Sequence, residues 1–285
     1  MTTAVLPNAP TGYSESVWTA LLRNPSALIG ATMLALVLTL ALLAGTLYPG
    51  DPLDMVAMPM LWPGDDPGYF LGSDSLGRDV AAGIAHGARG SLLIAASATL
   101  ISVLIGTVVG ALAGYHGGKL GDVLMRICEV FQTVPSFLLV IVIVAIGNPT
   151  LGVIALAIGI SSWPTVARLV RAEFRTLREA DFVTAARSLG FGNSSIILRE
   201  ILPNALAPLV VTTSILIAQA ILVEAGLAFL GMSDPNQASW GAMLGSGREQ
   251  IASGWYLTAL PGLAIIFVVL ALNLLGDGLN DALNP

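Results

Sequence analysis

Long apolar stretches, uncharged or nearly so, leave this chain little choice of fold. The first, Ala27 to Tyr48, runs for 22 residues without a charge. At about 1.5 Å rise per residue, roughly 20 apolar residues cross the hydrocarbon core of a bilayer. Further stretches cover residues 91–115, 130–146, 151–170, 205–231 and 256–275. Lipid offers no partner to a bare N–H or C=O, so each stretch is expected as a helix, whose backbone satisfies itself. Composition agrees: 55% of residues are hydrophobic and 11% charged, against about 25% charged in a soluble domain. The expected fold is an all-α integral membrane protein with six transmembrane helices.

Several function classes fall away. The lone Cys128 allows no intrachain disulfide, and packing is its expected role. His86 and His116 lie in different loops, so no metal site is expected. A net charge of −6 argues against nucleic-acid binding. Gly118-Lys119 is followed by Leu120, and Ala113 stands where a phosphate loop needs its first glycine. No catalytic residues and no cofactor are expected in the chain itself.

The connections carry the remaining signals. Residues 1–26 read as a polar N-terminal tail without the pattern of a cleavable signal, with an interfacial helix at Trp18–Arg23. A long outer loop is expected from Pro49 to Gly90, with Ser73 or Asp74 capping a short helix in it. Arg78 and Arg89 are expected to pair with Asp74 or Asp79, or to contact substrate. Gly106, Gly110 and Gly114 recur every four residues and give the second span a face without side chains, suited to close packing. Residues 117–129 read as a short charged connection. Gln132 and Pro135 open the third span. Ser161, Ser162, Trp163 and Pro164 are expected to interrupt the fourth, as a kink or as pathway lining. Glu224 lies inside the fifth, where a carboxylate costs up to about 3 kcal/mol and must face the protein or a wet cavity. A structural hydrogen bond and a ligand contact both fit it.

Six spans put both termini on one side. That side holds nine of the 12 Lys and Arg residues, and the other holds Arg78, Arg89 and Arg248. The excess places both termini in the cytoplasm. The outer loops carry eight acids, which would suit a partner with a basic docking face.

Residues 180–204 form the one substantial non-membranous segment on the cytoplasmic side. Asp181 to Leu189 reads as a short helix, Gly190 and Gly192 break it, Asn193 or Ser194 caps a second, and Pro203 ends that one. The result is a helix–turn–helix knob between spans four and five. Thr184-Ala185-Ala186, Gly190 and Leu202-Pro203 keep the spacing of the Glu-Ala-Ala coupling motif of ABC importer permeases, which this stretch resembles. Thr184 replaces the usual Glu, and Glu200 a usual apolar residue. The segments Leu71-Gly72-Ser73-Asp74, Leu76-Gly77-Arg78-Asp79, Gly87-Ala88-Arg89-Gly90-Ser91-Leu92, Glu224-to-Gly231 and Ser239-Trp240-Gly241 resemble the dipeptide, oligopeptide and nickel branch of that family. At the C-terminus Asn280 and Asn284 depart from the usual Arg and Asp.

The resemblance implies a permease that moves peptides, nickel or another small solute across a bacterial inner membrane by alternating access. It implies a heterodimer with a second permease, two cytoplasmic ATPase subunits that bind ATP and magnesium, and an extracytoplasmic binding protein. Thr184, Ala185, Ala186, Gly190, Arg199, Leu202 and Pro203 are the expected ATPase-coupling residues. Gln132, Pro135, Trp163 and Glu224 are candidates for the pathway or its gate, and Asp74, Arg78, Asp79 and Trp240 for binding-protein docking. Besides peptide and lipid, no nucleic acid is expected as a partner. An ion-coupled secondary transporter would need its own ion site, and an intramembrane enzyme a nucleophile and base within the spans. Glu224 alone offers little to either.

Overall fold

The computed structural model describes residues 21–283, and among them it is all-helical, with one isolated bridge between Ser73 and Asp79. The elements are α1 (Pro25–Leu47), α2 (Val80–His116), α3 (Gly118–Thr133), α4 (Ser136–Gly147), α5 (Leu151–Arg178), α6 (Asp181–Ser188), α7 (Asn193–Phe229), α8 (Trp240–Gly247) and α9 (Tyr256–Leu283). Helices α1, α2, α5, α7 and α9 are each long and apolar enough to cross a bilayer. Residues 1–20 of the expected tail, with half of the Trp18–Arg23 helix, lie outside the described residues; 21–23 are helical, and the last two tail residues already belong to α1.

Helix α2 is the central post. Its glycine face meets α5 along the most extensive contact in the molecule. A Cβ at Gly106 would stand 2.5 Å from Val166 Cβ, one at Gly110 2.5 Å from the Ala167 carbonyl, and one at Gly114 2.6 Å from Phe174 Cβ. Gly159 of α5 returns the contact against Ile101 and the Ala98 carbonyl. The backbones therefore touch, which is how helices associate where lipid supplies no hydrophobic drive.

Helix α1 packs on α9 by the same means, with Gly30 against the Ala271 carbonyl and Gly278 against Ala27. Asn24 caps α1, its Oδ1 accepting from Ser26 and Ala27, while its Nδ2 donates to Asp281 at 3.0 Å. That bond joins the starting end of α1 to the last turn of α9. Asn284 lies outside the described residues.

Five expectations need correction. The helix of the second span begins at Val80 rather than Ser91, with Asp79 as its N-cap accepting from Ala81 N, and the expected short helix capped by Ser73 or Asp74 is absent among the described residues. Asp74 instead closes a turn, accepting from Leu76 and Arg78 N. Arg89 reaches α1 rather than an acid and donates to the Ala41 and Leu42 carbonyls. The charged connection after the second span is the amphipathic helix α3. It meets α4 at an 80° bend across Val134 and Pro135, so the expected third span is not one straight helix. Helix α5 passes through Ser161–Pro164 without interruption and extends to Arg178.

The glycine seam gives a direct test. Gly110→Leu forces a side chain into the α5 backbone, and overpacking of this kind costs about 1–3 kcal/mol or more. The detergent-solubilised protein should unfold several degrees lower, whereas Gly152→Ala, with no atom within 4 Å of the added Cβ, should not.

Candidate functional site

Two constructions stand at opposite ends of the helices. The first is the knob that follows α5. Helix α6 ends at Leu189, and Gly190 turns the chain with φ +83°, a conformation that favours glycine. Helix α7 then starts at Asn193, runs through a π-helical turn at Ile196–Ile201, and continues into the membrane. Pro203 does not end a second short helix. It lies inside α7 just after the π-helical turn, where the regular hydrogen-bond ladder is already interrupted and a residue without an N–H is tolerated. The knob is thus one short helix and the projecting end of a 37-residue one.

Tyr115, near the end of α2, holds the knob in place. Its ring packs among Phe174, Val183, Ala186, Ile196 and Ile201. Its hydroxyl donates to Asn193 Oδ1 at 2.9 Å, and its carbonyl accepts from Arg178 at 3.0 Å. The Arg187 guanidinium lies 5.8 Å from the ring centroid. One residue therefore ties α2, α5, α6 and α7.

Of the expected coupling residues, Thr184, Ala185, Gly190, Arg199 and Pro203 are exposed, and Leu202 is half-buried. Ala186 is buried against the Tyr115 cluster, because it shares the inward face of α6 with Val183. It packs the knob and offers no outer surface. The exposed apolar side chains were missed: Phe182, Leu189 and Phe191 are 40%, 75% and 49% exposed. Apolar residues flanking the Gly190 turn were the available signal.

The second construction joins α2, α7 and α8 far from the knob. Glu224 is buried and accepts from Ser239 Oγ at 2.7 Å and from Ser91 Oγ at 3.5 Å. Ser239 also caps α8, accepting from Ala242 N, and Ser91 accepts from Trp240 N at 3.1 Å. Gly241 lies so close that a Cβ would stand 2.6 Å from the carboxyl. This arrangement makes Glu224 a structural bridge. Trp240, expected on a docking face, is 1% exposed and donates its indole N–H to the Ile84 carbonyl. It is an anchor, since so large a ring is held best between α2 and α8.

Asp74, Arg78 and Asp79 remain partly exposed and line a cavity of about 240 Å³ between the loop before α2 and residues 233–247. Among the described residues neither Arg78 nor Arg89 forms an ion pair with Asp74 or Asp79. Tyr256 pins the same loop, its hydroxyl lying within hydrogen-bond distance of the Leu61 and Ser73 carbonyls.

The expected pathway residues do not come together. Gln132 and Pro135 are exposed at the α3–α4 bend. Trp163 is buried, edge-on to Phe131 at 5.3 Å between ring centroids, with Cys128 and Met125 beside it. Glu224 belongs to the outer clamp. A separate open cavity of about 330 Å³ lies between α4, α5 and α7 and includes Ser136, Ser162 and Gln219.

Comparison with known proteins agrees with these features. Residues 106–285 match the family described as binding-protein-dependent transport system inner membrane component, and residues 12–67 match the N-terminal TM domain of oligopeptide transport permease C. The chain belongs to this family of transport permeases. The di/tripeptide transport system permease protein DppC of Pseudomonas aeruginosa is 40% identical to it over 95% of this chain and 91% of the relative. The dipeptide transport system permease protein DppC of Haemophilus influenzae is 37% identical over 97% and 96%. The glutathione transport system permease protein GsiD of Pectobacterium atrosepticum is 38% identical over 94% and 89%. In fold, the permease matches a chain of the MetNI methionine ABC transporter in an inward-facing conformation, with a TM-score of 0.57 at 19% identity over 71% of this chain and 97% of that one.

The clamp predicts a local effect. Ser239→Ala removes both the Glu224 bond and the α8 cap, a loss of about 1–3 kcal/mol by the usual cost of an unmet buried group. Limited proteolysis of the permease in detergent should then cut faster within residues 231–240, while Ser246→Ala on the exposed side of α8 should leave the rate unchanged.

Proposed function

We propose that this permease is one of two transmembrane subunits of an ATP-driven importer of short peptides. The observation that carries the reading is the knob. Within residues 182–191 it presents three large apolar side chains to solvent, yet a pinned tyrosine fixes its base. Apolar exposure on a rigid mount is the mark of a protein contact. The nine basic residues on that side support a cytoplasmic location for the knob and for both termini.

In this reading two ATPase subunits, which bind ATP and magnesium, dock on the knobs of this chain and of a second permease. Phe182, Leu189 and Phe191 fill the contact, Thr184, Ala185 and Gly190 let the partner approach closely, and Arg199 adds charge. ATP-driven closure pushes α6. The push passes through the Tyr115 cluster into α2 and α5 and along the continuous α7. The spans then alternate between outward and inward openings. On the outer face, an extracytoplasmic binding protein docks beside Asp74, Arg78 and Asp79 and delivers substrate. The di/tripeptide, dipeptide and glutathione transport named for the relatives supports short peptides as the cargo.

The test is affinity purification of the tagged chain from its own membrane in mild detergent, with mass spectrometry of what accompanies it. The wild type should carry a second permease and ATPase subunits. Leu189→Asp should lower ATPase recovery by about tenfold or more, the effect of charging a contact hot spot, while the second permease stays bound. A wild-type chain arriving alone or as a homo-oligomer would overturn the reading. Full ATPase recovery in Leu189→Asp would remove the knob from it.

A further inference from the structure

Polar side chains gather at one depth on the open face of α4, α5 and α7. Along α5, Ser161 lies ten residues from the outer end at Leu151, and along α7, Gln219 lies ten from Phe229. Ser136 lies eleven from the outer end of α4 at Gly147. At 1.5 Å per residue all three stand about 15 Å below their helix ends, near the middle of a hydrocarbon core about 30 Å thick. They line the same cavity of about 330 Å³, with Phe137, Ile158 and Leu222 among its apolar walls.

Their surroundings do not satisfy them. Ser161 donates to the Ile158 carbonyl of its own helix, as serines in membrane helices do. Gln219 and Ser136 are exposed, Ser162 is half-buried, and among the described residues their side chains have no hydrogen-bond partner. An amide facing hydrocarbon without a partner costs roughly 2–7 kcal/mol. Ordinary lipid is therefore a poor neighbour for this face, and water or a polar solute is a good one.

We propose that this groove is this chain's wall of the transport pathway, and that Gln219, Ser162 and Ser136 are its contacts to the peptide main chain. The proposal rests on the importer reading and deepens it. Every polar group in the lining is uncharged, and each can both donate and accept. That chemistry matches a peptide group, which presents one N–H and one C=O whatever its side chains. The apolar walls make no ionic demand on those side chains. The cavity is also at the small end of ligand sites, about 300–1,000 Å³. A site of this kind passes short peptides of varied sequence and sets no fixed charge against any of them.

Charge placed in the groove should then create a preference where none existed. In proteoliposomes holding the full assembly, uptake of radiolabelled lysyl-alanine and glutamyl-alanine is compared. Gln219→Glu should shift the ratio toward the cationic peptide, and Gln219→Lys toward the anionic one, each by about tenfold, since a unit charge a few ångströms away at a partly wet site carries more than that energy. Unchanged ratios in both variants would overturn the proposal. A second measurement stands if those variants do not assemble. Cysteines at Ser162, Gln219 and, as a control at matching depth on the exposed face of α1, Leu36 are labelled with a membrane-impermeant methanethiosulfonate, with the buried Cys128 of the wild type as baseline. Fast labelling at 162 and 219 only, slowed by saturating dialanine, supports the groove. Labelling no faster there than at 36 overturns it. Should the wild-type assembly take up no peptide at all, the importer reading fails, and the labelling still decides whether the groove holds water.

Discussion

The backbone contact between α2 and α5 is the constraint on which the rest depends. In a bilayer, helices gain nothing by hiding apolar surface from water, so they associate through close packing and hydrogen bonds. Gly106, Gly110 and Gly114 on one side and Gly159 on the other bring two backbones into contact over about four turns. That seam fixes where Tyr115 ends α2 and where Arg178 ends α5, and these two residues hold the base of the knob. It also fixes Ser91, eleven residues into α2, opposite Glu224 of α7. Both functional ends of the molecule are therefore referred to one rigid pair.

The remaining helices differ in how firmly they join that pair. Helix α7 is attached at both ends, by the Tyr115 cluster at its start and by the Glu224–Ser239 bond near its end. Its π-helical turn at Ile196–Ile201 lies where the knob meets the membrane. Such turns interrupt the regular ladder of hydrogen bonds and are frequent at functional sites. Helix α4 is the opposite case: twelve residues, separated from α3 by an 80° bend, with much of its surface uncovered.

Much of this was legible in the sequence. Five of the six apolar runs fall in the long helices α1, α2, α5, α7 and α9, and the spacing of Gly106, Gly110 and Gly114 foretold a close helix contact, because in lipid only side-chain size decides how near two backbones come. The short helix after residue 180 and the turn at Gly190 are legible in the sequence, but the second half of that segment belongs to the long helix α7. A proline that stops a helix and one carried inside a helix beside a π-helical turn look alike in sequence, and Pro203 is the latter. The early start of α2 escaped because its first turns are rich in Ala and Gly, with Arg89 among them, and carry little hydropathy. What Arg89 touches could not be read at all. An arginine near an aspartate in sequence suggests an ion pair, whereas the fold brings the carbonyl end of α1 nearer. The polar groove was equally hidden, since each of its residues is unremarkable in its own helix and only their shared depth gives them meaning.

The central claim is that this chain carries peptide when nucleotide is hydrolysed beneath it, and vesicle transport tests it most directly. The purified assembly is reconstituted into proteoliposomes, supplied with the candidate binding protein on the outer face and with ATP and magnesium on the knob face. Accumulation of a radiolabelled dipeptide is then followed against a control loaded with a non-hydrolysable nucleotide. The account predicts uptake that requires ATP hydrolysis and is abolished with the analogue. Uptake that continues without nucleotide and follows an imposed ion gradient would contradict it.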